Sequence, residues 1–118
     1  MGLKIYIVGR ERRRGDRPTE RERRAYTGRA AVQFLGIPHN TVSRRHAVLY
    51  VTEHRIYMRD LGSKNGTFAL GQGGSRRFTQ GYVSPDQEFR FGDYRCRLDK
   101  LLDKARREQA SESADGGG

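Results

Sequence analysis

Ser43-Arg44-Arg45-His46-Ala47-Val48-Leu49-Tyr50-Val51 opens the stretch that decides the fold. It continues through Ile56-Tyr57-Met58 into Asp60-Leu61-Gly62-Ser63-Lys64-Asn65-Gly66-Thr67-Phe68. Ala47, Leu49 and Val51 alternate with Val48 and Tyr50, and Ile56 alternates with Met58. A period of two built from β-branched and aromatic residues argues strands. Asn65-Gly66 is a strong tight-turn dipeptide, because both residues tolerate positive φ. Outward from this stretch the pattern holds from Tyr26 to Leu98. Phe89 and Phe91 alternate, and Tyr94, Cys96 and Leu98 form a further strand. Gly36, Pro38-His39-Asn40, Gly62, Gly71 to Gly74, Ser84-Pro85-Asp86 and Gly92-Asp93 punctuate the run as turns. Many short strands without a helical period between them predict an all-β fold of the sandwich kind.

The flanks read differently. Leu3, Ile5 and Ile7 share one face of a first strand that occupies residues 1–9. Arg10 to Arg24 holds eight arginines, four acids, one proline and no large apolar side chain, so residues 10–25 are expected to be a mobile surface loop. Thr19 sits among these charges and is a candidate kinase target. The core is expected over 26–98. Leu98, Leu101, Leu102 and Ala105 follow a helical period. Residues 99–118 therefore read as a short helix and a disordered tail ending in three glycines.

Composition bounds what such a chain can do. It has 118 residues and a formal net charge of +10, enough for one domain and too few for a dinucleotide-fold enzyme, an eight-fold barrel or a kinase. No apolar run is long enough for a membrane span, and the start lacks the apolar core of a signal peptide. Cys96 stands alone, which forbids an internal disulfide and fits a reducing, cytoplasmic setting. Arginine outnumbers lysine by 20 to 4, a skew that fits a GC-rich, bacterial genome. His39, His46 and His54 match no zinc spacing, and no nucleophile elbow or Walker sequence is present. Gly71-Gln72-Gly73-Gly74 precedes Ser75-Arg76-Arg77-Phe78 and reads as a hairpin loop, not a phosphate cradle on a helix. No cofactor, no metal and no enzymatic activity are expected.

Three clusters remain: Gly28-Arg29, Ser43 to His46, and Asp60 to Phe68. Arginine offers a planar fork of donors that suits a phosphate, and serine adds a hydroxyl. Lys64 adds a mobile point charge. Asn65 can donate and accept, so it can pair with an extended peptide backbone. Together they point to a phosphorylated side chain on a protein partner.

In order and spacing these clusters resemble the forkhead-associated (FHA) domain. That family shows a Gly-Arg pair, then Ser-Arg-x-His about fourteen residues later, then an Asp-x-x-Ser-x-Asn-Gly-Thr run. Arg29 and Ser43 are fourteen residues apart, and Glu88-Phe89-Arg90-Phe91-Gly92 resembles a later strand of the family. The resemblance covers about residues 26–98. It implies a β-sandwich of about eleven strands that reads phosphothreonine on a partner, such as a kinase or its substrate. Carried over by position, Arg29, Ser43, Arg44 and Lys64 would contact the phosphate and Asn65 the peptide backbone. Gly28, Ser63, Gly66 and Thr67 would support the loops, and His46 would be buried between them. Gly9-Arg10 is a second Gly-Arg pair. It lies thirty-three residues from Ser43 and would need the whole arginine-rich segment as an insertion, so Gly28-Arg29 is preferred. Arg45 would point away from Arg44 in an extended segment and is left out of the site.

Two other readings stand beside this one. The charge and the Arg10–Arg24 run could bind nucleic acid or another polyanion, although interleaved acids leave the run only +4 and it has no aromatic side chain for stacking. A scaffold that docks a folded partner regardless of phosphate is the other.

Overall fold

Both faces of the first strand are buried, which one alternating apolar stripe does not require. The computed structural model describes residues 2–12, 16–27 and 31–117. In chain order its elements are β1 (Lys4–Arg10), α1 (Glu20–Thr27), β2 (Ala31–Ile37), β3 (Ala47–Val51), β4 (Ile56–Asp60), β5 (Thr67–Gly71), β6 (Gly74–Arg77), β7 (Gln80–Val83), β8 (Glu88–Phe91), β9 (Tyr94–Arg97) and α2 (Leu98–Gly117). One sheet has the order β2-β1-β3-β4-β7 and the other β6-β5-β8-β9. Among the described residues there are nine strands where about eleven were expected.

Register explains the double burial. Val32, Ile5, Tyr50, Tyr57 and Tyr82 face one another in a row across the first sheet, and Phe34, Ile7 and Val48 form the next row. These rows lie on one face. Gln33, Tyr6, Leu49 and Met58 line up on the other face, as do Leu35, Val8 and Ala47. The apolar members of the second set pack between the sheets with Phe89 and Phe91 of β8. The first set faces outward and still has Ile5, Ile7, Phe34 and Val48 buried.

Its cover comes from the segment expected to be a mobile loop, and that expectation needs correction: the segment carries α1. The helix contacts β2, and Tyr26 meets the Tyr50 ring edge-on at 6.4 Å. A reciprocal cap starts it. Thr19 N–H donates to Glu22 Oε1 at 2.8 Å, and Glu22 N–H donates to Thr19 Oγ1 at 3.1 Å. This arrangement satisfies two backbone donors that a helix start leaves open. Glu22 also receives both Nε and Nη2 of Arg45, whose guanidinium lies 4.8 Å over the Phe34 ring. Burial pushes the Glu22 carboxyl up, but its hydrogen bonds from Arg45 and Thr19 and the Arg45 charge outweigh that and hold it below the ordinary value.

The other end also differs from expectation. Leu98, Leu101, Leu102 and Ala105 of α2 are buried in the core, and Leu98 N–H donates to Gln87 O. The helix then continues to Gly117 where a disordered tail was expected. Once a packed first turn supplies the nucleus, each further residue extends the helix without a new nucleation cost. Gln33 Nε2 donates to Ala105 O at 3.1 Å, and Lys104 Nζ to Gly36 O at 3.0 Å, so α2 is tied to β2.

Candidate functional site

The end of β1 runs past the loop that leads into β3, and the contact is close enough to dictate a residue. A Cβ on Gly9 would lie 1.8 Å from the Arg44 carbonyl oxygen, so only glycine fits there. The next backbone N–H, of Arg10, donates to Ser43 O at 2.9 Å. Arg10 Nη1 donates to Asn40 O at 3.4 Å. Arg10 is thus brought beside Ser43 and Arg44. Gly28 and Arg29, the pair preferred from spacing, lie outside the described residues.

A second loop, between β4 and β5, closes on the first. It crosses from one sheet to the other, so Asn65-Gly66 is not the tip of a hairpin; of that pair only Gly66 takes positive φ, at 86°. Asp60 organises this loop. Its carboxylate accepts from Gly62 N–H at 2.8 Å, Ser63 N–H at 3.0 Å, Ser63 Oγ at 2.6 Å and Thr67 Oγ1 at 2.8 Å. Burial pushes this carboxyl up, but the Ser63, Thr67 and Gly62 bonds prevail and hold it below the ordinary value. Ser63 Oγ in turn accepts from Gly66 N–H at 3.1 Å. Ser63 and Thr67 are both buried and spend their hydroxyls inside the loop.

His46 joins the two loops. Its side chain is fully buried and meets Phe91 edge-on. Nδ1 accepts from Ser43 N–H at 3.0 Å, which leaves Nε2 to donate to Gly66 O at 2.9 Å. Burial lowers its pKa, and the Gly66 bond and the Asp60 charge offset this only in part. Lys64 N–H donates to Ser43 Oγ at 3.0 Å, and Asn65 Nδ2 donates to Thr41 O at 2.8 Å. Ser43, Lys64 and Asn65 are therefore brought together. The Lys64 side chain is exposed, and Asn65 keeps its carbonyl oxygen for an incoming donor.

Beside Arg44 lies a hollow of about 710 Å³. Among the described residues its cationic lining is Arg10, Arg12, Arg17, Arg44 and Arg45, with Asp16 and Thr19 beside them. Arg44 is exposed here, while Arg45 is committed to Glu22 and Phe34. Such a hollow can take a doubly charged anion. Sequence reasoning set Arg10 aside and did not reach Arg12 or Arg17. The signal for Arg10 was its place at the end of an apolar strand, whereas only Ala25-Tyr26-Thr27 separates the charged run from Gly28-Arg29.

The family profile described as FHA domain matches residues 26–92, more than half of the chain. The chain belongs to the FHA domain family. Solved structures agree on the fold. The FHA domain of the CT664 protein from Chlamydia trachomatis superposes with a TM-score of 0.51 at 23% identity, over 77% of this chain and 70% of that one. A structure from work on phosphothreonine-dependent FHA domain interactions gives 0.54 at 20% identity, over 80% and 75%. The FhaA FHA domain, complexed with the intracellular domain of Rv3910, gives 0.52 at 20%, over 80% and 79%. No curated protein sequence matches the chain. The profile match begins after Gly9-Arg10 and takes in Gly28-Arg29, whereas the strand packed on the Ser43 loop carries Gly9-Arg10.

Proposed function

We propose that the chain is a non-enzymatic module that reads phosphothreonine on a partner protein, with Arg10 as its principal phosphate ligand. The observation that carries this is the close approach of Gly9 to Arg44, which sets Arg10 beside the Ser43 backbone and, with Arg44, in the lining of one cationic hollow. Arg10 and Arg44 supply charge and forked donors, Ser43 a hydroxyl proton, and Lys64 a mobile ammonium. Asn65 Oδ1 takes a backbone N–H of the peptide. The class of ligand is drawn from the family and from the similar domains, one of them from work on phosphothreonine-dependent interactions and another complexed with an intracellular domain.

Phosphothreonine carries about −1.5 to −2 at neutral pH and three strong acceptors. The free hydroxyl offers almost none of this, so discrimination is large. A hydrogen bond to a charged group contributes about 1.5–3 kcal/mol. Arg10→Ala therefore weakens binding roughly ten- to hundredfold. The test is calorimetric titration of the full chain with a degenerate phosphothreonine library, with phosphoserine and unphosphorylated controls. Arg10→Ala and Arg29→Ala are measured side by side. Loss in Arg10→Ala alone is the expected result. Loss in Arg29→Ala alone returns the phosphate contact to Arg29, and phosphate-indifferent binding sinks the reading.

A further inference from the structure

Among the described residues, Thr19 supplies the one hydroxyl that lines the arginine hollow from the α1 side. It faces the same space as Arg10 and Arg44, and it is exposed. Its place there is held by the helix. Thr19 caps α1, and α1 is moored by Glu22 to Arg45, the neighbour of Arg44. The segment that brings the hydroxyl is thus anchored to the loop that carries the arginines. Asp16, the acid among the described lining residues, accepts Arg12 N–H at 2.7 Å. With Arg45 held by Glu22, the four other arginines that line the hollow among the described residues face one carboxylate, which leaves an excess of positive charge beside Thr19.

We propose that Thr19 is a phosphorylation site, and that its phosphate is captured in cis by Arg10 and Arg44, closing the hollow to an outside phosphothreonine. This rests on the phosphate-reading role proposed above for that hollow. The modification balances simply. Thr19 Oγ1 attacks the terminal phosphorus of a nucleoside triphosphate held by a protein kinase. The new O–P bond forms as the bond to the diphosphate breaks, the hydroxyl proton leaves to a base of the kinase, and the nucleoside diphosphate departs. The added charge suits both surroundings, since anions are favoured at a helix start and beside arginines. Glu22 in the same cap does not oppose it strongly, because Arg45 neutralises its carboxylate. A threonine that is already part of the hollow needs no search through solution, so its effective concentration exceeds that of a free peptide.

The test compares the full chain unmodified with the full chain carrying genetically encoded phosphothreonine at position 19. Phosphorus NMR follows the phosphate. Its second ionisation is expected to fall by about 1 pH unit or more relative to a phosphorylated 16–23 peptide, and Arg10→Ala with Arg44→Ala should abolish the difference. Library titration follows the site. The modified chain should bind at least about tenfold more weakly than the unmodified one, with recovery after phosphatase treatment. A phosphate that titrates like the free peptide's overturns the proposal. So does unchanged library binding by the modified chain, which leaves the reader intact. A concentration-dependent dimer of the modified chain in sedimentation overturns capture in cis. If the unmodified chain binds no library peptide, the reader fails, and the phosphorus signal alone decides whether Arg10 and Arg44 hold the phosphate of Thr19.

Discussion

Gly9 is where one missing atom makes room for the site. Its N–Cα–C backbone passes so near the Arg44 carbonyl that a methyl group would overlap it at 1.8 Å, and the obstructing atom is backbone that cannot swing away. Gly9→Ala forces β1 and the Ser43 loop apart. Overpacking of this kind costs about 1–3 kcal/mol. Because the displaced group is Arg44 itself, phosphopeptide affinity should fall together with stability. Urea unfolding and library titration on the same variant check both. Gly73→Ala is the control: nothing lies within 4 Å of its added Cβ, so unfolding free energy should stay within about 0.5 kcal/mol. Equal stability of Gly9→Ala and wild type would refute the close approach. The contrast also explains what could be read at this scale. Ser43, Arg44, Lys64 and Asn65 form contiguous motifs, so sequence brings them into view. The choice between two Gly-Arg pairs depends on which strand runs past Ser43, a long-range register that local spacing does not encode.

Among the elements, α1 shows how a segment without an apolar stripe can still be structural. Its first turn is fixed by the Thr19–Glu22 cap, and its hold on the sheet comes from Glu22 on Arg45 and Tyr26 on Tyr50. Glu22→Ala removes the cap partner and the anchor of Arg45 together. Loss of a cap costs about 0.5–2 kcal/mol. The helix should loosen while the sandwich persists, so trypsin should cut faster at Arg21, Arg23 and Arg24 without a matching loss of core signal. Unchanged cleavage at these sites would place the hold on α1 elsewhere. The Thr-x-x-Glu pattern was present in the sequence as a helix-start signal, but the charge density around it favoured a loop. β3, β4, β8 and β9 were legible because apolar and polar residues alternate along them. β2 was not marked out as a separate strand, since Val32, Phe34, Leu35 and Ile37 occupy both of its faces. That pattern makes sense only with α1 covering the outer face.

For the molecule as a whole, the two sheets are tied at the site end by one buried imidazole. His46 binds Ser43 N–H and Gly66 O, its own backbone O accepts from Leu61 N–H, and Gly66 O also accepts from Gly92 N–H. α2 closes the sandwich elsewhere, through Leu98 N–H on Gln87 O and Asp99 N–H on Pro85 O. Acid should therefore open the molecule from the site. His46 is buried neutral, with its pKa lowered by that burial. The unfolded chain takes up this proton near the ordinary imidazole value of about 6.5 and the folded chain does not. Below that pH the unfolded state binds more protons, so stability falls as pH falls. One proton sets a slope of at most about 1.4 kcal/mol per pH unit, and the loss ends once pH drops below the folded value. Asp60 adds a second loss in stronger acid. Its folded carboxyl lies below the ordinary value, so its contribution is present above the unfolded pKa and disappears as pH falls through the folded one. Urea unfolding at pH 7.5, 6.5 and 5.5 should show declining stability, and the His46 ring proton should titrate below 6.5 by NMR. Flat stability across that range, with a His46 midpoint at or above 6.5, would mean that the imidazole is not the neutral clasp between the loops. Since protonated Nδ1 cannot accept Ser43 N–H, phosphopeptide affinity should fall with the same midpoint. That links the clasp to the ligand without any contact between His46 and phosphate.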